Sequence, residues 1–153
     1  MKQITFYLIV ILLVATTGCS KSSDVPKAEP VKTATTFASP SWKADDTGKY
    51  PATMTAVVAL PAALAANTNN NDKLAAFVNG ECRGVGVIDK VNNQELYFVL
   101  VQGLPDETAK VSFKYYSGKT SYMYEAASAT TFLIDAVYGN AQNPKVLELQ
   151  QIK

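Results

Sequence analysis

The chain begins with a short apolar run that gives way to polar sequence. Residues 6–15 are ten apolar residues in succession, and Lys2 precedes them. This run is too short for a membrane-spanning helix, but it has the length and the positive flank of a signal-peptide core. Small residues follow, directly before Cys19. The pattern therefore predicts a signal peptide over residues 1–18.

No helical or strand period is visible in the next twenty or so residues. Ser, Lys, Thr, Ala and Pro dominate there, and large apolar residues are few. Such composition is typical of a flexible spacer, so we expect a tether over residues 19–41. Phe37 and Trp42 are the exceptions, and we expect them to pin the start of the folded domain rather than bind a ligand.

Beyond Tyr50, apolar positions recur in short runs, and turn residues lie between the runs. The runs cover residues 54–60, 74–78, 82–88, 96–101, 110–116, 121–125, 130–134 and 146–149. About seven to eight short strands with turn signals between them indicate a sandwich or barrel. We predict an all-β fold, a single antiparallel, immunoglobulin-like β-sandwich, over residues 42–153.

Several runs carry more specific expectations. Asn79-Gly80 is a turn dipeptide, so the second and third runs should form a hairpin. The continuous apolar run 96–101 predicts a central strand that is buried on both faces. Gly84 and Gly86 alternate on one strand, which indicates a bulge or the close approach of another backbone or an aromatic ring.

Composition excludes some classes of function. The chain has 14 basic and 13 acidic residues, and Lys2 lies in the predicted leader, so the mature chain is balanced at 13 each. A nucleic-acid partner is not expected, since phosphates favour a clustered basic face. There is no histidine, which removes the commonest general base and metal ligand. We expect no metal and no cofactor.

Cys19 is the expected attachment point to a membrane. The small residues before it resemble the lipobox of bacterial lipoproteins, in which the cysteine sulfur carries diacylglycerol, although Thr16 stands where Leu is usual. The alternative is an ordinary secretory signal with an incidental cysteine. Residue 20 is Ser rather than Asp, which is compatible with the outer membrane. We predict a protein that is lipid-anchored in the cell envelope, on a membrane face that the sequence leaves open.

The hairpin sequence carries a resemblance. Residues 74–86 read Leu-Ala-Ala-Phe-Val-Asn-Gly-Glu-Cys-Arg-Gly-Val-Gly, with Trp42, Tyr50 and Met54-Thr55 ahead of them in order. The stretch resembles an uncharacterised β-sandwich module of secreted and surface proteins of Bacteroidota. The resemblance covers about residues 42–149. It implies a fold and a cell-surface setting, and it implies no activity.

Glu81, Cys82, Arg83 and Gly84 are the most unusual local combination. One hypothesis is a thiolate that Arg83 activates, with Glu81 as proton acceptor. We favour a structural interpretation, in which Cys82 is a small buried hydrophobe and Arg83 holds a loop through carbonyl or carboxylate contacts. No catalytic residue is therefore predicted, and the polar stretches 67–72 and 106–107 are expected to be solvated loops.

Tyrosines are the best candidates for ligand contact. Val111, Phe113 and Tyr115 share one face of their strand, which predicts that this face is core. Tyr116 then points to solvent among lysines, and Tyr122 and Tyr124 follow on the next strand. A flat row of rings suits a glycan or a protein. The alternative places most of these rings in the core or in cross-strand pairs.

Two classes of function fit this sequence. The first is a binding or adhesion module without catalytic activity that recognises a glycan or an envelope protein. The second is a structural accessory subunit of an envelope assembly. An exposed tyrosine cluster favours the first class, whereas a flat apolar patch or a free strand edge favours the second. A cleft with convergent polar groups would favour an enzyme.

Replacing Cys19 tests the anchor. Cys19→Ala should release the chain from membranes or block cleavage of the leader, because without the sulfur no acyl chain is attached, and each buried methylene contributes about 0.8 kcal/mol to anchoring. Membrane fractionation and the mass of the mature protein provide the measurement. Cys82→Ala is the matched control and should stay with membranes. A Cys19→Ala protein that matures normally and still fractionates with membranes would refute the prediction.

Overall fold

A computed structural model describes residues 34–127 and 130–153. Residues 33–153 belong to one compact unit. The predicted signal peptide, the lipidation site Cys19 and most of the predicted tether lie outside the described residues, so these expectations stay predictions.

The described residues form two β-sheets and one short helix. The first sheet contains β1 (Ala52–Ala59), β4 (Val87–Val91), β5 (Gln94–Gly103), β9 (Val137–Tyr138) and β10 (Lys145–Val146). The second sheet contains β2 (Lys73–Val78), β3 (Glu81–Val85), β6 (Lys110–Ser117), β7 (Tyr122–Ala126), β8 (Thr130–Thr131) and β11 (Leu149–Gln151). Helix α1 (Ala62–Ala65) follows β1.

The predicted immunoglobulin-like β-sandwich is confirmed. The long strands run in the order β1-β5-β4 in the first sheet and β7-β6-β2-β3 in the second. This is the arrangement of strands B-E-D packed on strands G-F-C-C′ in the immunoglobulin fold. In the immunoglobulin fold, strand A lies beside strand B. Here β9 and β10 lie at that position, beside β1. Both run parallel to β1.

Alternate residues of each sheet build the core. The residues that point inward are Met54, Ala56 and Val58 on β1, Tyr97, Val99 and Val101 on β5, and Val111, Phe113 and Tyr115 on β6, and each is at most 1% exposed. The predicted inward face of β6 is therefore confirmed. This period of two also decides which residues remain for the outer faces.

The predicted hairpin between β2 and β3 is present. Asn79 has a φ of 50° and Gly80 a φ of 81°, the left-handed pair that a two-residue type I′ turn requires. The run 82–88 is not one strand, however. It divides at Gly86, where the chain leaves the second sheet and enters the first, and the Gly86 N–H bonds the Leu74 carbonyl at 2.8 Å.

Both glycines of this segment lie close to neighbouring atoms, as predicted. A Cβ at Gly84 would clash with the backbone carbonyl oxygen of Leu100. A Cβ at Gly86 would lie 3.2 Å from the Tyr97 ring and 3.2 Å from the Leu74 carbonyl oxygen, which is tight but tolerable. Gly84 therefore allows β3 to approach β5 of the other sheet.

Strand β5 is central, but it is not buried on both faces. It lies between β1 and β4, and Tyr97, Val99 and Val101 are buried as expected. Leu100 is 57% exposed. The prediction is wrong at Leu100 because no segment of the described residues lies over this part of the outer face, although the residue itself is apolar.

An N-terminal segment over residues 37–50, here called the crossing segment, crosses the outer face of the second sheet. The Phe37 N–H bonds the Ser121 carbonyl at 2.7 Å, and the Pro40 carbonyl accepts a bond from Lys73 Nζ at 2.6 Å. Further along, the Trp42 ring meets the Phe77 ring edge-on at 5.6 Å. Phe37 and Pro40 lie before the predicted domain start at residue 42, and both contact the second sheet.

Alanine substitutions at the two glycines test the close approach between the sheets. Gly84→Ala should lower the free energy of unfolding by about 3 kcal/mol, because the new methyl group meets a backbone atom that cannot turn away. Gly86→Ala, its matched control, should cost about 1 kcal/mol or less, because its neighbours lie farther off. Chemical denaturation measures both. Equal losses of stability in the two variants would show that the contact with Leu100 is not limiting.

Candidate functional site

Arg83 is a buried cation that joins separate parts of the chain. Its side chain lies on β3 and the residue is 4% exposed. Nη1 donates to Glu107 Oε2 at 3.2 Å and to the Gln102 carbonyl at 3.4 Å, while Nη2 reaches Glu107 Oε1 at 3.5 Å. The planar fork of arginine suits this bidentate arrangement. The sequence predicted carbonyl or carboxylate contacts for Arg83, and the structure contains one contact of each kind.

The other side of the guanidinium faces the crossing segment. The Tyr50 ring lies 3.3 Å from Arg83 Cζ, and the Tyr50 hydroxyl donates to Glu81 Oε2 at 2.5 Å. Glu81 also lies 3.5 Å from Arg83 Nε and 3.2 Å from Lys49 Nζ. The hydrogen bond from Tyr50, with the charges of Lys49 and Arg83, lowers the pKa of the Glu81 carboxyl below its usual value. Glu81 and Arg83 thus hold the end of the crossing segment against β3.

Glu107 was missed from sequence. The stretch 106–107 was expected to be a solvated loop, and for Glu107 this is wrong, since its side chain is only 10% exposed. It accepts bonds from Arg83 and from the Leu104 N–H at 3.1 Å. One signal in the sequence could have indicated Glu107. If the single arginine, Arg83, is buried, its charge requires a carboxylate partner elsewhere in the chain.

Cys82 is half-buried and free of any disulfide. Burial raises the pKa of its thiol, so the group is protonated at neutral pH. The nearest acceptor is the Gly84 carbonyl, 3.8 Å from Sγ. Because Arg83 is engaged by Glu107 and Tyr50, the geometry supports the structural interpretation of Cys82 over an activated thiolate.

The predicted exposure of Tyr116 is wrong. The residue lies on the outer face of β6, as the alternation predicts, but it is only 5% exposed. The crossing segment covers this part of the sheet. Its bonds to Ser121 and Lys73 lie on either side of Tyr116, and the Tyr116 hydroxyl donates to Ser121 Oγ at 3.5 Å. Sequence periodicity found the correct face of the strand and could not show that another segment covers it.

Tyr122 and Tyr124 do not share a surface with Tyr116. Cross-strand pairing sets Tyr124 opposite Tyr115 and Tyr122 opposite Ser117, on the inner face of the second sheet. The Tyr124 ring lies 5.8 Å from the Tyr115 ring and packs against the core. Both residues remain half-buried at the side of the sandwich. The structure does not bring the three tyrosines together, and a ligand-binding role for them stays a prediction.

Asp72 ends the polar stretch 67–72, and it is buried rather than solvated. It accepts bonds from the Tyr115 hydroxyl at 2.7 Å, the Gly118 N–H at 2.8 Å and the Asn69 N–H at 3.0 Å. Burial, with the hydrogen bond to Asp72, raises the pKa of the Tyr115 hydroxyl. Three donors satisfy this carboxylate, so its evident role is to join the loops at one end of the sandwich.

The outer face of the first sheet was not singled out from sequence. Cross-strand pairing sets Val137, Thr55 and Leu100 in one row, and Val57, Phe98 and Val87 in the next. Val87 is 68% exposed and Val137 is 65% exposed, beside the exposed Leu100. We call Thr55, Val87, Phe98, Leu100 and Val137 the open face.

One loop covers the neighbouring part of the same sheet. Ala141, in the connection between β9 and β10, packs against the cluster of Val57, Ala59 and Leu96. This loop explains why these three residues are buried while their neighbours in the open face are not. The open face is therefore bounded by the loop on one side and by the edge strand β4 on another.

One shallow depression, of about 530 Å³, lies along β7 and β11 and is lined by Glu125, Gln150 and Gln151 among others. Another, of about 330 Å³, is lined by Leu60, Lys90 and Glu95 among others. Arg83, Cys82 and the three candidate tyrosines line neither of these depressions.

Among residues 34–127 and 130–153, no three His, Cys, Asp or Glu side chains are grouped as a metal site would require. None of the described residues forms a helix with the length and hydropathy of a membrane span. No family model, curated protein or solved structure matches this chain.

Replacing Arg83 tests its structural role. Arg83→Lys keeps the charge but loses the fork and the stacked plane, so the free energy of unfolding should fall by about 1–3 kcal/mol. Thermal and denaturant unfolding provide the measurement. Lys43→Ala, which breaks an exposed ion pair with Asp46, is the control and should leave the stability unchanged within error. An Arg83→Lys protein as stable as the wild type would contradict the structural role.

Proposed function

We propose that this chain is a lipid-anchored, non-catalytic protein-binding module of the bacterial cell envelope, and that the open face is its contact surface. The observation that carries the proposal is the exposure of Val87, Leu100 and Val137 on one flat sheet face. A contiguous apolar face of this kind is a characteristic of protein contact sites, because covering it removes apolar surface from water.

The open face distinguishes between the two classes that fit the sequence. A glycan-binding surface was expected to show a cluster of exposed tyrosines, but Tyr116 is buried and the other two tyrosines lie elsewhere. An exposed apolar sheet face is the feature expected of a subunit that docks on another protein. The geometry therefore favours protein contact, including an accessory role in an envelope assembly, over glycan recognition.

The residues with unusual chemistry support a role without catalysis. The Cys82 thiol is protonated, and the guanidinium of Arg83 bonds Glu107 and the Gln102 carbonyl and stacks on Tyr50. These groups stabilise the fold, and they leave no activated nucleophile at the position that the sequence singled out. The balanced charge supports a partner other than nucleic acid.

The envelope setting rests on the leader and on Cys19. A lipid on this cysteine tethers the domain to a membrane, and Ser20 is compatible with the outer membrane. The resemblance of residues 74–86 to a module of Bacteroidota surface proteins supports the same setting. A protein that is held at a membrane meets other envelope proteins at raised local concentration, so a modest contact surface is sufficient for binding.

Site-specific photo-crosslinking in cells tests the contact surface. A benzophenone amino acid at Leu100 of the full chain should give a discrete protein adduct, because a docked partner lies against that position. The same amino acid at Lys114, on the outer face of the second sheet, is the control and should give little adduct. Denaturing gels of the membrane fraction provide the readout. Failure to form an adduct at Leu100, or equal adducts at both positions, would overturn the proposed contact surface.

A further inference from the structure

The outer face of the first sheet is nearly free of charge. Cross-strand pairing assigns fourteen residues to this face, and Asp89 is the only charged one. The fourteen are Thr53, Thr55, Val57, Ala59, Val87, Asp89, Val91, Gln94, Leu96, Phe98, Leu100, Gln102, Val137 and Val146. Asp89 lies on the edge strand β4, at the rim of the face. A partner therefore meets an uncharged, mainly apolar centre with a single charge at its margin.

The opposite side of the sandwich differs in both charge and cover. The outer face of the second sheet carries Lys73, Lys110, Lys114 and Glu125, and the crossing segment lies on part of it. Within residues 34–127 and 130–153, the crossing segment lies on the charged outer face, and Val87, Leu100 and Val137 on the apolar outer face remain exposed. An interface that forms between copies has only one apolar sheet face to use.

We propose that the partner on the open face is a second copy of this chain, packed face to face about a two-fold axis; this inference rests on the proposed function. A two-fold interface sets the same patch of each copy against the other, so the patch must be complementary to itself. An uncharged, mainly apolar face meets this condition, since its own duplicate is also uncharged and mainly apolar. Asp89 stays at the rim of such a pair, where water still reaches it.

Packing through faces is favoured over pairing through edges. The exposed edge strand β4 carries Asp89 and Lys90 at its centre, and charged side chains on an edge strand oppose the addition of another strand. On the other side of the sheet, β9 and β10 already occupy the edge of β1. Face packing of two sheets is the arrangement that the interior of this domain already uses, with the sheets about 10 Å apart.

The size of the open face predicts a weak pair. It spans four strands at about 4.8 Å spacing and a length of roughly 15 Å, or about 300 Å² per copy. The two copies together bury on the order of 600 Å², well under the roughly 1,200–2,000 Å² of stable complexes. A pair of this size requires a raised local concentration, which a common membrane anchor supplies. The proposal is therefore to be tested on the full chain in membranes.

Two copies of the full chain with different epitope tags, expressed together, provide the test. With the benzophenone amino acid at Leu100 of one copy, the adduct should have twice the mass of the chain and should carry both tags. Leu100→Asp in the other copy should reduce this adduct at least tenfold, because it buries an unpaired charge in the interface. Leu104→Asp is the matched control, since Leu104 is 41% exposed in the loop after β5 and lies off the open face. This variant should leave the yield of adduct unchanged.

The outcomes separate this inference from the proposed function. An adduct at Leu100 that lacks the second tag overturns the second-copy partner and leaves the protein-binding function in place. No adduct at all overturns both proposals. If Leu104→Asp reduces the doubly tagged adduct as much as Leu100→Asp does, the open face is not the interface and the inference fails. Thermal unfolding of both variants verifies that each is folded.

Discussion

The two faces of every β-sheet are the constraint on which this structure depends. A sandwich of two sheets buries two inner faces and leaves two outer faces, and side chains alternate between them with a period of two. In this chain the crossing segment over residues 37–50 covers part of one outer face, burying Tyr116. The other outer face keeps Leu100 and its neighbours exposed. The proposed contact surface is the outer face that remains exposed.

One buried cation links the fold to the crossing segment. Arg83 on β3 binds Glu107 in the loop after β5 and stacks on Tyr50 at the end of the segment. Burying a charge is costly unless it is paired, so the guanidinium holds these three parts of the chain in one arrangement. The same contacts occupy the Arg83 guanidinium, which would be needed to activate a thiolate at Cys82. The most unusual residues in the sequence therefore stabilise the covered side of the sandwich, and the open face consists of ordinary, mainly apolar residues.

Local patterns were sufficient to predict most of the fold. Alternation in 110–116 placed Phe113 and Tyr115 inside, and Asn79-Gly80 marked a hairpin with the required left-handed backbone. These features depend on residues that are close in sequence, so they can be predicted from one sequence. The run 82–88 was harder, because a continuous apolar stretch does not show that a chain changes sheets. The glycine at position 86 was noticed, and only the paired strands show that the change of sheet takes place there.

The sequence by itself determined the all-β class, the inward face of β6 and the expectation that Arg83 bonds a carbonyl or a carboxylate. Only the tertiary structure decided which carboxylate this is, that Tyr116 is covered, and that Leu100 is open to solvent. The alternation of apolar and polar residues shows only which face of its own strand a side chain is on. Whether the side chain is exposed depends on what lies above that strand. Above Tyr116 lies the crossing segment, which is more than sixty residues away in sequence. Above Leu100 there is no described segment.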